Sequence, residues 1–326
     1  MRIGFFGGGP QAQHVLAALL KQSGWVISFF HPRWSDDPMI AETVIPAGIE
    51  IMPFPTLNSA DAVEYVRSKA LDLIVSVNAK QIFRAPLLGS ARHGAINLHN
   101  GLLPRQRGGG GAYVGMINGE PLGTTLHLVD EGIDTGDILL QREHRLGPDA
   151  TMADLQRAAI ECAADLVVTG VRQIESGTAI FTPQRDRPFY YVPAKASWDE
   201  LIDWREPSQK ILDKIRARSP GPINFYLFKD TLHYVLAAEP EPLLLAHDNT
   251  VGQVLIRDPQ KGVLVKTGDS GLWITRIRKA GEDAEYRPDH PSGSLLRLNL
   301  DHEVMGLKER LRSLEELVMN KLNSGG

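Results

Sequence analysis

Up to about residue 200 the chain alternates strand-sized apolar runs with segments of helical period, and this alternation narrows its fold more than any other feature. Repeated strand–helix order places successive strands parallel in one sheet with the connecting helices on both faces. Arg2–Phe6 reads as the first strand and Gln11–Lys21 as the following helix, with Val15, Leu16, Leu19 and Leu20 turned inward. Trp25–Phe30 reads as a strand, Ala60–Ser68 as a helix, Leu71–Val77 as a strand buried on both faces and Gly94–Leu98 as a strand ending on polar residues. Thr124–Val129 and Asp137–Gln141 are neighbouring strands joined by the acidic loop Asp130-Glu131-Gly132-Ile133-Asp134-Thr135-Gly136. Met152–Ser176 is a long helix, and Cys162 on its apolar side is read as a small core residue rather than a nucleophile.

The pattern changes after the polar, proline-bounded stretch Thr182-Pro183-Gln184-Arg185-Asp186-Arg187-Pro188. Short alternating runs follow at Ile223–Phe228, Leu232–Ala237, Gly252–Ile256, Gly262–Thr267 and Leu272–Ile277, which predict a small barrel or sandwich. Asp301–Leu322 reads as a closing helix. Its Leu307, Leu311, Leu314 and Val318 form one apolar seam, suited to the chain's own surface or to a homodimer contact. The expected organisation is an α/β domain over 1–182, a linker over 183–202, a β domain over 203–300 and a helix with tail over 301–326.

With 35 Lys and Arg against 39 Asp and Glu, the net charge of -4 provides no general attraction for nucleic acid, and no DNA partner is expected. No apolar run approaches the roughly 18 to 20 residues that span a bilayer, and the N-terminus lacks the long apolar centre of a signal peptide. The single cysteine excludes an internal disulfide and a multi-cysteine zinc site. A cytoplasmic location without membrane attachment is the expectation.

Gly7, Gly9 and Ala12 satisfy a loose dinucleotide fingerprint, but Phe29-Phe30-His31-Pro32 offers no acid for a ribose at the end of the second strand. Gly7, Gly8 and Gly9 are therefore read as a tight turn that also lets a ligand phosphate approach a helix N-terminus. A stronger constellation is Asn97-Leu98-His99-Asn100, at the carboxyl end of a strand, where open α/β sheets place ligands. Residues two apart in a strand project to one side, so Asn97 and His99 can converge on one atom and bind an oxyanion. Gly108 to Gly111 follow, and four glycines imply close backbone approach to something. Asp130, Glu131, Asp134 and Asp137 do not match a calcium loop, and His93, His99 and His127 lack the spacing of a zinc site, so no metal is expected.

Asn97-x-His99, the run Leu-Leu-Pro-x-x-Arg-Gly at Leu102–Gly108, and Glu131-Gly132-Ile133-Asp134-Thr135-Gly136-Asp137 together resemble the formyltransferases that use 10-formyltetrahydrofolate. The resemblance implies a Rossmann-like, mostly parallel sheet domain followed by a β-barrel like an OB-fold. It implies Asn97, His99 and Asp134 as the catalytic trio. It also implies a folate pocket formed by Val77, Asn78, Ala79, Lys80, Gln81 and Ile82 with Asp130, Glu131, Gly132 and Ile133.

Formyl transfer is attack by a neutral amine on a carbonyl. Asn97 and a protonated His99 are expected to stabilise the oxyanion, with Asp134 favouring the imidazolium and taking the proton the amine loses. The resemblance leaves the amine open. Formyltransferases acting on methionyl-tRNA usually carry a basic loop after the second strand, where this chain has Pro32-Arg33-Trp34-Ser35-Asp36-Asp37-Pro38. They usually continue the Arg-Gly motif with Ala-Ala-Pro-Ile, where this chain has Gly109-Gly110-Gly111-Ala112. Residues 201–326 balance 18 basic against 18 acidic side chains, unlike a barrel that clamps tRNA. A nucleotide-linked amino sugar is the expected acceptor and tRNA the alternative; a formyl-folate hydrolase or a non-catalytic folate-binding module are the others. The expected acceptor residues are Gly7, Gly8, Gly9, Arg105, Arg107, Gly108 and Gly109, with Trp204 and Arg216.

Overall fold

The structure is a computed structural model and describes residues 1–184, 200–218, 224–229, 231–241, 248–296, 308 and 310–312. The chain divides into two compact units, Met1–Lys195 and Ala196–Gly326.

The first unit is built on one sheet. Its strands are β1 (Arg2–Gly7), β2 (Val26–Pro32), β3 (Leu73–Val77), β4 (Ala95–His99), β5 (Leu122–Leu128) and β6 (Ile138–His144), in the order β2-β1-β3-β4-β5-β6. The pairings β1–β2, β1–β3 and β3–β4 are parallel, and β4–β5 and β5–β6 are antiparallel. Its helices are α1 (Gly9–Leu20), α2 (Ala60–Ser68), α3 (Ala85–Leu88), α4 (Gly111–Ile117) and α5 (Met152–Ser176). Alternation along β1 sends Ile3 and Phe5 to one face, against Val15, Leu16 and Leu19 of α1 and Leu166 and Val167 of α5. Phe6 goes to the other face, against Val63 and Val66 of α2 and Leu87 of α3. The long helix α5 starts at a capping box: Thr151 Oγ1 accepts the Asp154 N–H at 3.3 Å, and Asp154 Oδ2 accepts the Thr151 N–H at 2.9 Å.

The strand order reverses between β1 and β3, and a ligand crevice belongs at the carboxyl ends near such a switch. A Cβ on Gly7 would lie 2.0 Å from the Val77 carbonyl oxygen. Close approach of β1 and β3 is what requires glycine there. The acidic loop joins β5 to β6, and β4, which carries Asn97 and His99, lies beside β5.

The second unit contains α6 (Ser208–Arg216) and strands β7 (Phe225–Phe228), β8 (Thr231–Pro240), β9 (Val254–Asp258), β10 (Gly262–Lys266), β11 (Gly271–Lys279) and β12 (Glu285–Tyr286). They form an antiparallel sheet in the order β7-β8-β11-β10-β9, with β12 also on β11. Among the described residues this is a half-barrel, in which β7 and β9 are not paired, in keeping with the small barrel or sandwich expected. Its core holds Tyr226, Val235, Val263, Leu272 and Ile274 with Trp204 and with Ile211 and Ile215 of α6. This helix was not anticipated in a region that reads as β-rich. Its Ile211, Leu212 and Ile215 carry the helical spacing that marks it. The linker over 183–202 and the helix over Asp301–Leu322 lie mostly outside the described residues; in the latter, Leu311 is helical and exposed.

Candidate active site

Along β4, Ile96 and Leu98 are buried in the core beside α1 and α5, so Asn97 and His99 project to the opposite side. Asn97 is set from two neighbouring strands. Ser76 Oγ of β3 donates to its Oδ1 at 2.9 Å, and its Nδ2 donates to His127 Nε2 of β5 at 3.2 Å. His127 lies directly opposite Asn97 in the β4–β5 register. Its Nδ1 donates to the Leu128 carbonyl at 2.6 Å, which leaves Nε2 as the acceptor. One N–H of the Asn97 amide is thereby used and the second is available for an oxygen in the crevice.

His99 donates from Nε2 to the Gln106 carbonyl at 2.6 Å, and this turns Nδ1 toward Asp134 Oδ2, 3.5 Å away. The other carboxylate oxygen of Asp134 is 3.6 Å from His127 Nε2. Asp134 therefore lies between two imidazoles, and its Oδ2 also accepts the Gly108 N–H at 2.9 Å. Burial works against its charge, but the neighbouring His127 and His99 rings and the Gly108 N–H outweigh that and hold its pKa down at about 2. For His99, burial is the dominant influence and depresses the pKa against the opposing pull of Asp134 and the Gln106 carbonyl. Burial therefore works against the imidazolium expected from the sequence, while Asp134 works for it. Desolvation of the ring favours a neutral imidazole whose Nδ1 lone pair faces the carboxylate.

Beside the trio lies a pocket lined by Ser76, Asn97, His127 and Asp134, by Ala79, Gln81, Ile82 and Phe83 after β3, and by Val129, Asp130, Gly132 and Ile133 after β5. Two loops distant in sequence are brought to one cavity, with exposed Ile82 and Ile133 on its walls. The lining thus combines an apolar wall with a polar edge, the mixture found in small-molecule pockets. Four of the residues expected there do not line it. Val77 is fully buried in the sheet core, Lys80 and Glu131 are exposed outside the pocket, and Asn78 donates to Gln11 Oε1 at 3.2 Å. The acidic loop is shaped internally, with Asp130 Oδ1 accepting the Gly132 N–H at 3.1 Å and the Thr135 hydroxyl at 2.5 Å. Among the described residues no group of His, Cys, Asp and Glu is arranged to hold a metal ion. No helix among them is long and apolar enough to cross a membrane.

The expected acceptor residues scatter. At the glycine turn, Asp37 Oδ2 accepts the Gly9 N–H at 2.8 Å, and a Cβ on Gly8 would lie 2.3 Å from that same oxygen. The protein's own carboxylate takes the place at the α1 N-terminus that was assigned to a ligand phosphate. Arg107 is buried and bound to Gln184, and the Gly108 N–H is used by Asp134. Arg105 and Gly109 remain exposed. Trp204 is a core residue of the second unit, its Nε1 donating to the Leu296 carbonyl, because an indole of that size fills the half-barrel interior. Arg216 pairs with Asp213 at 2.8 Å. Cys162 is buried as expected, its thiol directed at the Ala159 carbonyl and its pKa pushed up by burial.

Three site residues were not singled out from the sequence for the role they have. The signal for His127 is the Thr125-x-His127 alternation on β5, which becomes informative once β5 is paired with β4. Gln106 and Gln184 carry no motif spacing.

Residues 2–171 match the family described as Formyl transferase, and residues 196–288 match Formyl transferase, C-terminal domain. Among curated relatives, the chain is 32% identical over 240 residues to a methionyl-tRNA formyltransferase of Synechococcus sp. (strain JA-3-3Ab), covering 72% of this chain and 74% of that one. Its fold is similar to that of a sugar N-formyltransferase from Shewanella sp FDAARGOS_354, with TM-score 0.62, 20% identity, and coverage of 73% of this chain and 97% of that chain. It is also similar in fold to WlaRD, described as a sugar 3N-formyl transferase in the presence of dTDP and 5-N-formyl-THF, with TM-score 0.60, 16% identity and coverage of 86% and 98%. The motifs around Asn97, His99 and Asp134, the pocket beside them and both halves of the match lead to one conclusion: the chain belongs to the formyl transferase family.

Proposed function

We propose that the protein moves a formyl group from 10-formyltetrahydrofolate to the primary amine of a nucleotide-linked amino sugar. The observation that carries this reading is the convergence of Asn97, His99 and Asp134 at the carboxyl end of β4, beside a pocket walled by the loops after β3 and β5. Ser76, Gln81, Ile82, Phe83, Asp130 and Ile133 would hold the folate, which supplies a formyl group already attached to a nitrogen leaving group. A carbon–nitrogen bond forms to the amine and one breaks to the folate, while the proton lost by the amine ends on the departing nitrogen. The free N–H of Asn97 donates to the carbonyl oxygen as it gains negative charge, a role usually worth about 3 to 4 kcal/mol. Neutral His99 accepts the amine proton at Nδ1, and Asp134 stabilises the imidazolium so formed.

Several features support a small acceptor: the segment after β2, with Asp37 folded back onto α1, the charge balance of residues 201–326, and fold similarity to sugar N-formyltransferases. The identity to methionyl-tRNA formyltransferases favours a second reading, with initiator tRNA as acceptor. A panel of amino sugar nucleotides, hydroxylated amino acids and charged initiator tRNA, incubated with 10-formyltetrahydrofolate and followed by tetrahydrofolate release, decides between them. Release only with an amino sugar nucleotide is the expected result. Efficient formylation of the tRNA overturns the choice of acceptor, and release without any amine indicates a hydrolase.

A further inference from the structure

We infer that Gln184 is the positioning residue of Asp134, holding that carboxylate in register with His99. The inference rests on the trio proposed above. Asp134 has φ of 54°, in the left-handed region that a residue with a side chain occupies only when its surroundings hold it there. Its backbone is held by one side chain. Gln184 Nε2 donates to the Asp134 carbonyl at 3.0 Å and to the Gly136 carbonyl at 2.6 Å, using both of its hydrogens. Gln184 Oε1 accepts from Arg107 Nε at 3.0 Å and Nη2 at 2.8 Å, using both lone pairs.

The carboxamide is thus saturated, and its orientation is fixed by the buried guanidinium behind it. The same segment that supplies Arg107 supplies the Gly108 N–H to Asp134 Oδ2, so it holds the Asp134 side chain directly and the Asp134 backbone through Gln184. The tolerance is narrow. Asp134 lies 3.5 Å from His99 Nδ1 and 3.6 Å from His127 Nε2, at the long end of charge-assisted contact, and a shift of a few tenths of an ångström changes both. A residue 50 positions beyond Asp134 in the chain therefore decides where the catalytic carboxylate sits.

The test is an NMR titration of the His99 imidazole, which needs no acceptor. Asp134 and His127 face the ring, Arg107 lies behind Gln184, and Asp130 is the other charge near that guanidinium. In Gln184→Ala the His99 midpoint is expected to fall by about half a unit as the carboxylate drifts from the ring. Turnover with 10-formyltetrahydrofolate and an accepted amine is expected to fall on the order of 100-fold, with little change in KM for the folate. Gln184→Glu keeps an oxygen for Arg107 but presents oxygen instead of N–H to two carbonyls, and it is expected to behave like Gln184→Ala. In an Asp134→Asn background, Gln184→Ala is expected to add nothing. The inference is overturned by a wild-type His99 midpoint in Gln184→Ala, by a Gln184→Glu protein that behaves as wild type, or by a shift that persists in full without the Asp134 charge. Failure of the formyl-transfer reading is separable, because wild-type protein that releases tetrahydrofolate with no amine leaves the titration result standing.

Discussion

At the scale of single residues, His99 is constrained at both nitrogens. The Gln106 carbonyl claims the Nε2 proton, and burial disfavours a second proton on Nδ1 despite the carboxylate opposite. A group that accepts a proton must begin without one, so kcat/KM is expected to be level between about pH 7 and 8. It should fall as pH drops through the depressed His99 pKa, below the ordinary 6.5. A rate that rises on acidification through that range would instead identify the imidazolium as the active form. The placement of Asn97 and His99 on one side of a strand was legible from their spacing. The protonation state was not, because it depends on burial and on a carbonyl seven residues away that no spacing rule connects to the ring.

At the scale of elements, the glycine run between β4 and α4 has a different purpose from the one it suggests. A Cβ on Gly101 would lie 2.7 Å from His99 Nε2, and one on Gly111 would lie 2.3 Å from the Gln106 carbonyl oxygen. Gly101 and Gly111 make room for Gln106, whose side chain accepts from the Leu102 N–H at 2.9 Å and donates to the Pro121 carbonyl at 2.9 Å. Within the run, close backbone approach holds at Gly111, where the partner is the protein's own chain, whereas a Cβ on Gly109 would meet nothing within 4 Å. Gly111→Ala is expected to cost about 1 to 3 kcal/mol in urea unfolding, as overpacking does. It should also lower turnover by at least about tenfold, since the displaced carbonyl is the one that orients His99. Unchanged stability and unchanged turnover together would mean that Gln106 is not wedged as described. Helices α2 and α5 are legible with the observed bounds because each opens on a side-chain cap, Ser59 and Thr151, whereas α6, no shorter than α2, follows Pro207 without a side-chain cap and lies within a β-rich stretch.

At the scale of the whole molecule, both units bury histidines whose surroundings disfavour the charged ring. Burial is the leading cause of the depressed pKa of His31, His99 and His144 in the first unit and of His233 and His290 in the second, the last at about 4. Folded pKa values below the unfolded 6.5 mean that the unfolded chain binds more protons in this range, so stability falls as pH drops from about 6.5 toward the folded values. Asp134 acts in the same direction in a lower window: its stabilisation is complete above about pH 4 and is lost as pH falls toward about 2. The urea midpoint is therefore expected to be lower at pH 5 than at pH 7.5, and an equal or higher midpoint at pH 5 would contradict neutral burial of these rings. The central claim, that Asn97, His99 and Asp134 form the formyl-transfer centre, is tested most directly by comparing folate binding with turnover in His99→Ala. Binding of 10-formyltetrahydrofolate by calorimetry is predicted to match wild type while tetrahydrofolate release with the accepted amine falls at least about 100-fold. Release at near wild-type rate from folded His99→Ala protein would contradict the claim.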